Sequence, residues 1–286
     1  MTTIKVFIRS HPVLSYFALT FVISWGGVFA LGAAPYGLPA TSEQAAKSWP
    51  IVFIPFFLGP ILASLLLTGM ADGRAGFREL FSRLFRWNVS LNWYAIALLT
   101  APLLVTATLL VLSRTSPVYL PAIVTSTNKV GLIVTGLLVG LVEGGLMEEL
   151  GWTGFAVPRL RLRHSPISTG LIVGLLWGLW HFLPTFWASG DSSGALDSTL
   201  FLSTCTFYIG VLPAYRILMV WVYDRTHSLL VAILMHAILS ASTQFILLPP
   251  AKGIQLVFYY AILTIALWIA VAISHHKPMG RELASS

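Results

Sequence analysis

Residues 130–157 read VGLIVTGLLVGLVEGGLMEELGWTGFAV. At about 1.5 Å of rise per residue, this apolar stretch is long enough to cross the roughly 30 Å hydrocarbon core of a bilayer as a helix. It nevertheless carries Glu143 and the adjacent pair Glu148 and Glu149, and no further charge follows until Pro158 and the cluster Arg159, Arg161 and Arg163. A charged side chain at bilayer depth costs about 3 kcal/mol or more unless it is paired or neutralised, so such residues face a bundle interior or a cavity and mark function. The stretch decides two things together: the chain is a membrane protein, and its chemistry is to be sought at Glu148 and Glu149.

Composition agrees. The 286 residues are 57% hydrophobic and 9% charged, where soluble domains carry about 25% charged residues. Apolar stretches of spanning length occur at about 13–33, 51–70, 93–113, 130–157, 167–187, 200–223, 228–248 and 255–274. The expected fold is all-α, a polytopic membrane helix bundle of about eight transmembrane helices, with residues 1–286 forming a single transmembrane domain. The first stretch follows Lys5 and Arg9 and ends in Leu31-Gly32-Ala33-Ala34. It exceeds the roughly 7–15 apolar residues of a signal-peptide core, so it reads as a retained span.

The net charge of +7 does not read as a nucleic-acid footprint, because the basic residues fall in short clusters between spans. In alternate loops, Lys5, Arg9, Arg74, Arg78, Arg83, Arg86, Arg159, Arg161, Arg163, Arg225, Lys277 and Arg281 share one side, against Lys47, Arg114, Lys129 and Lys252 on the other. This positive-inside bias predicts a multi-pass protein of the cell membrane with both termini cytoplasmic. One cysteine, Cys205, excludes an intramolecular disulfide and a Cys-rich metal cluster. Between the second and third spans, GRAGFRELFSRLFRW (73–87) puts Phe77, Leu80, Phe81, Leu84 and Phe85 at helical spacing, with Arg78, Glu79 and Arg83 mostly on the other face. That pattern predicts an amphipathic interfacial helix, and it serves equally as a positive-inside anchor.

Two spans carry glycines every four residues: Gly136, Gly140 and Gly144, then Gly170, Gly174 and Gly178. Small residues at this spacing let membrane helices approach closely. Glu148 continues the first ladder and His181 follows the second, so packing of the two ladders on each other would bring both side chains into one plane. Five of the seven histidines (His11, His164, His227, His275 and His276) sit at span edges or in loops, whereas His181 and His236 lie within spans. A lone His in a membrane helix is commonly an interhelical hydrogen-bond partner; two of them with a Glu pair make a constellation. Counted along the helices, these groups share one cavity in the half of the membrane on the basic side. A buried carboxylate beside His can take a proton from water, directly or beside a bound metal. Glu148, His181 and His236 also make a zinc set with an open fourth position, although no His-Glu-x-x-His helix is present to force a metal.

Glu148-Glu149-x-x-x-Thr153, Trp177-Gly178-Leu179-Trp180-His181 and His236-Ala237-Ile238-Leu239-Ser240 lie in this order on separate predicted helices. They resemble the three motifs of the CPBP intramembrane proteases, the CAAX-protease and bacteriocin-processing family, over about residues 131–243. The resemblance implies a helical bundle with a water-filled cavity, endopeptidase activity near the cytosolic face on a peptide or membrane-protein substrate, and zinc under the usual classification of such enzymes as metalloproteases. It further implies that Glu148 activates water with His181, that Glu149 supports it, and that His236 with Ser240 stabilises the oxyanion; Trp177 stands at the aromatic position of the second motif. Thr153 replaces the motif's Arg and Ser240 its Asn. Ser240 still offers a hydroxyl donor, but Thr153 supplies no positive charge. Arg216, inside the sixth span, is therefore expected to take over that role by pairing with the Glu pair. Glu143 is a rival partner, and the lipid headgroups are an alternative within reach of its long stem. Thr153 also keeps open a catalytically weak membrane scaffold or immunity protein of the same fold. A proton-coupled transporter would need paired half-repeats that the sequence lacks.

Overall fold

The computed structural model describes residues 3–276. Among the described residues it is helical, apart from one isolated bridge between Gly190 and Leu196. A short α1 (Thr3–Ser10) precedes α2 (Pro12–Tyr36) and α3 (Ser42–Ala71). Next come α4 (Gly73–Leu84), α5 (Leu91–Ser113), α6 (Lys129–Leu160), α7 (Pro166–Ala188), α8 (Ser198–Thr226), α9 (Leu229–Ile246) and α10 (Ile254–His276). Apart from α1 and α4, all are long and apolar enough to cross a membrane, eight helices in all, and the protein is a multi-pass membrane bundle. Lys277 and Arg281, counted above on the basic side, lie outside the described residues.

Boundaries move where capping and backbone geometry outweigh hydropathy. Helix α3 starts well before residue 51, at a capping box in which Thr41 and Gln44 satisfy each other's backbone N–H groups. Pro50, Pro55 and Pro60 remain inside it, as membrane helices permit when neighbouring groups take up the freed carbonyls. Helix α6 continues past Pro158 to Leu160, because that proline sits in the first turn of an α segment, where its missing N–H costs little. Two stretches of α6, Gly140–Glu148 and Trp152–Ala156, are π-helical, a distortion frequent at functional sites.

Helix α4 forms, but it docks on the bundle differently from a simple interfacial helix. Leu80 is buried while Phe81 and Phe85 are exposed. Arg83, assigned above to the polar face, is buried and donates to the Tyr223 hydroxyl (2.9 Å) and the Gly154 carbonyl (3.1 Å). Two internal acceptors thus outweigh the outward pull of the headgroup region.

The glycine ladders do not pack on each other. Gly136, Gly140 and Gly144 of α6 face Phe245, Ala237 and the His236–Ser240 pair of α9. Gly170, Gly174 and Gly178 of α7 face Ile217, Pro213 and Tyr208 of α8. A Cβ on Gly174 would lie 2.6 Å from the Pro213 Cα, and one on Gly170 would lie 2.6 Å from the Ile217 Cα. Each ladder therefore sets a different close helix pair, and the two pairs deliver their polar residues to a shared centre. Gly174→Leu should destabilise the protein by about 1–3 kcal/mol through overpacking. Gly26→Ala, at a position with nothing within 4 Å of the added carbon, should leave thermal unfolding in detergent unchanged. Equal melting temperatures for the two variants would disprove the α7–α8 contact.

Candidate active site

Adjacent residues on a helix point about 100° apart, and Glu148 and Glu149 accordingly enter different environments. Glu149 is fully buried between α6, α8 and α9. Arg216 grips it with both ends of its guanidinium, Nη1 to Oε2 and Nη2 to Oε1, each at 2.8 Å. The Thr153 hydroxyl donates to Oε2 in a short hydrogen bond, and His236 Nδ1 donates to Oε1 at 2.6 Å. Paired bonds of this kind are among the strongest a carboxylate makes, and together they leave Glu149 no freedom to turn toward a substrate. The Trp177 ring lies under the Arg216 guanidinium, 4.3 Å from its centroid, and meets the His236 ring edge-on at 4.7 Å.

Glu148 is buried as well but bears on a cavity. Trp152 Nε1, one turn on, donates to its Oε2 at 2.9 Å. Its Oε1 stands 4.0 Å from His236 Nε2, too far for a direct hydrogen bond and spaced for one water to touch both groups. Since His236 uses Nδ1–H on Glu149, its Nε2 is the atom turned toward Glu148. His181 is oriented in the same manner: a carbonyl only accepts, so its Nδ1–H donates to the Trp177 oxygen (2.9 Å) and Nε2 is left free. Its ring stacks on Tyr208 at 4.5 Å and 16°. Gly144 floors this arrangement, for a Cβ there would lie 2.6 Å from Ser240 Oγ and 2.7 Å from His236 Nε2.

Glu148, Trp177, His181, His236 and Ser240 line one cavity of about 470 Å³. Thr153, Glu149 and Arg216 stand behind its wall. The cavity runs from Glu148 and His236 away from the basic loops, whereas helix counting suggested a cavity within the half of the membrane on the basic side. Its lining runs from Glu148 toward Ala188, Thr204, Phe245 and Leu248, at the helix ends next to the 189–197 and 247–253 connections. Two causes combine. The extension of α6 to Leu160 sets Glu148 roughly 18 Å from that helix end. Beside Glu148 on the basic side, the buried rings of Tyr16, Phe17, Trp152 and Phe155 form a plug in which Tyr16 touches the other three and Phe17 touches Trp152.

The expected zinc set is not assembled. Among the described residues no three His, Cys, Asp or Glu side chains converge as a metal ion requires, although Glu148 and His236 approach each other. Glu148, His181 and His236 all line one cavity and are the residues that would hold a metal ion. Arg216 is fully buried on Glu149, so it neither reaches the headgroups nor pairs with Glu143. Three further residues belong to the site beyond those that the sequence motifs mark. Trp152, four residues after Glu148 on one helix, could have been found from its i, i+4 spacing. Gly144 had been read only as a packing residue, and Tyr208 carries no sequence signal.

The family described as Type II CAAX prenyl endopeptidase Rce1-like matches residues 125–242, the stretch that holds the Glu pair, His181, Arg216, His236 and Ser240. Among individual proteins, the CAAX prenyl protease 2 of Methanococcus maripaludis is 20% identical over 239 residues, which are 82% of this chain and 83% of that protein.

Removing one partner of a buried ion pair leaves an uncompensated charge and costs about 3–5 kcal/mol. Arg216→Ala should therefore lower the unfolding temperature in detergent sharply. Arg216→Lys should recover little, since one ammonium cannot hold both carboxylate oxygens, whereas adding Thr153→Arg to Arg216→Ala should restore part of the loss. A silent Arg216→Ala would show that the clamp contributes nothing.

Proposed function

We propose that this chain, which belongs to the CPBP and CAAX-protease family, hydrolyses a peptide bond in a peptide or membrane-protein substrate with Glu148 as the base that activates water. The observation that carries this reading is the separation of the two carboxylates. Glu149 is consumed by Arg216, Thr153 and His236, while Glu148 keeps one oxygen toward the cavity, 4.0 Å from His236 Nε2. In this mechanism a water between Glu148 and the histidines gives its proton to Glu148 as its oxygen attacks the carbonyl carbon. The Ser240 hydroxyl donates to the resulting oxyanion, while His236 Nε2 orients the water and His181 Nε2 accepts a hydrogen bond from the hydroxyl that stays on that carbon. Cleavage of the C–N bond follows as the proton held by Glu148 passes to the leaving amine. Glu149 is a positioning residue: it orients His236 and carries the charge that Arg216 balances.

The cavity lining also bears on access. With the basic loops taken as cytoplasmic and the protein in the cell membrane, the residues around Ala188, Thr204 and Leu248 belong to the outer half, so substrate enters from that side. The family resemblance by itself implies entry near the cytosolic face. A catalytically weak scaffold or immunity protein is the second reading, and the departure at Thr153 favours it. The guanidinium of Arg216 meets the same carboxylate from another helix, which removes the main reason to expect lost turnover.

Glu148→Gln should lower peptide cleavage by about 10²–10⁴-fold with unchanged unfolding temperature; cleavage within a few-fold of the parent would rule out the role. Exhaustive chelation should leave activity in place, and loss reversed by added zinc would instead require a metal held by Glu148 and the histidines. In a Cys205→Ser background, Gln244→Cys should react with a membrane-impermeant maleimide in intact cells. Reaction only after permeabilisation would invert the proposed sidedness.

A further inference from the structure

We infer that Glu143 forms a subsite for a basic side chain of the substrate, so that the enzyme selects lysine or arginine within about two residues of the bond it cuts; this rests on the peptidase reading above. Glu143 lies five residues before Glu148 in the π-helical stretch of α6, where residues five apart are hydrogen-bonded neighbours on one side of the helix. Both carboxylates line the same cavity. Glu143 is half-buried, and among the described residues it makes no ion pair and no side-chain hydrogen bond. An unpartnered carboxylate at this depth is costly, and a bound cation offsets that cost.

The rest of the wall matches such a ligand. No lysine or arginine lines the cavity, and the nearby guanidinium, that of Arg216, is fully buried and bound to Glu149. A concave site lined by one sign of charge between low-dielectric walls focuses its potential on ligands of the opposite sign. Phe56, Phe57, Phe207 and Tyr260 offer apolar surface along which the alkyl stem of a lysine or arginine can lie with its charge at the carboxylate. Trp177, 2% exposed, adds an aromatic face to the same cavity. Glu143 and Glu148 stand about one π-helical turn apart, on the order of the span of two residues of extended chain. That distance sets how far from the scissile bond the basic residue stands. An acidic side chain or a free C-terminal carboxylate finds no cation at this wall.

The test is a randomised membrane-peptide library cut by the purified full-length protein in detergent, with cut sites mapped by mass spectrometry. Wild type should cut sequences with Lys or Arg within two positions of the bond roughly ten-fold faster than matched Gln sequences, as expected for a charge-assisted contact. Glu143→Gln should bring that ratio to about one, and Glu143→Lys should invert it toward Glu and Asp; because these are ratios, partial unfolding does not mimic them. A second arm measures binding of the Lys-containing and Gln-containing halves of the library to Glu148→Gln protein, where Glu143→Gln should again abolish the difference. Cleavage without a basic preference, or with one that survives Glu143→Gln, overturns the subsite and leaves the peptidase reading standing. Charge-dependent binding through Glu143 without cleavage by wild type keeps the subsite and overturns the peptidase reading. Neither cleavage nor charge-dependent binding overturns both.

Discussion

The carboxylate of Glu149 is the point on which three helices meet. Arg216 comes from α8, His236 from α9 and Thr153 from the next turn of α6, and all three bond the same two oxygens. In lipid there is no hydrophobic drive to bring helices together, so close packing and interhelical polar contacts decide the arrangement. A buried ion pair adds little net stability compared with well-packed apolar side chains, but it is intolerant of a missing partner. Its consequence here is orientational: with Nδ1–H committed to Glu149, His236 must present Nε2 to Glu148 and to the cavity.

The cation reaches that carboxylate by an unusual route. The motif places an Arg one turn after the second Glu, on the same helix. Thr153 occupies that place, and its small side chain leaves volume for a guanidinium that arrives from α8 instead. The hydroxyl still bonds Glu149, and Arg216 Nη1 approaches it at 3.4 Å. Charge balance is kept, but it now depends on the register between α6 and α8. That register depends in turn on the packing of α7 against α8 at Gly170, Gly174 and Gly178. A site that could have been stabilised within one helix is coupled to the assembly of the bundle, which gives the second glycine ladder a part in the chemistry although it never touches the first.

Hydropathy and helical spacing made the spans, the Glu pair, the two intramembrane histidines and the lone intramembrane arginine legible, because each depends only on composition along one helix. What could not be read was what each helix packs against. Both ladders were visible, yet small residues at i+4 say that a helix is approached closely and not by which neighbour. Arg83 shows the same limit, since its pattern position is polar and exposed while its partners, Tyr223 and the Gly154 carbonyl, come from elsewhere in the chain. Depth was misjudged for a local reason: Pro158 reads as a terminator, whereas at the first turn of an α segment it is harmless and α6 continues. Tyr208 lies in a π-helical turn of α8, where a period-3.6 projection mispoints the side chains.

The aromatic plug explains why the two carboxylates of α6 that face the cavity are unequal. Trp152 does two jobs at once: its indole N–H holds Glu148, and its ring packs with Tyr16, Phe17 and Trp180 to close the basic side. The cavity that Glu148 lines extends toward the 189–197 and 247–253 connections, along a wall that also carries Glu143. Because α6 is π-helical between them, these two side chains share a face that an α-helix would have split, and both line one cavity. The same distortion depends on Gly144 and Gly145, whose missing side chains let α9 come near enough to set His236 and Ser240 beside Glu148. A side chain at Gly144 would press on Ser240 Oγ and His236 Nε2, and would disturb both the approach of His236 to Glu148 and its bond to Glu149.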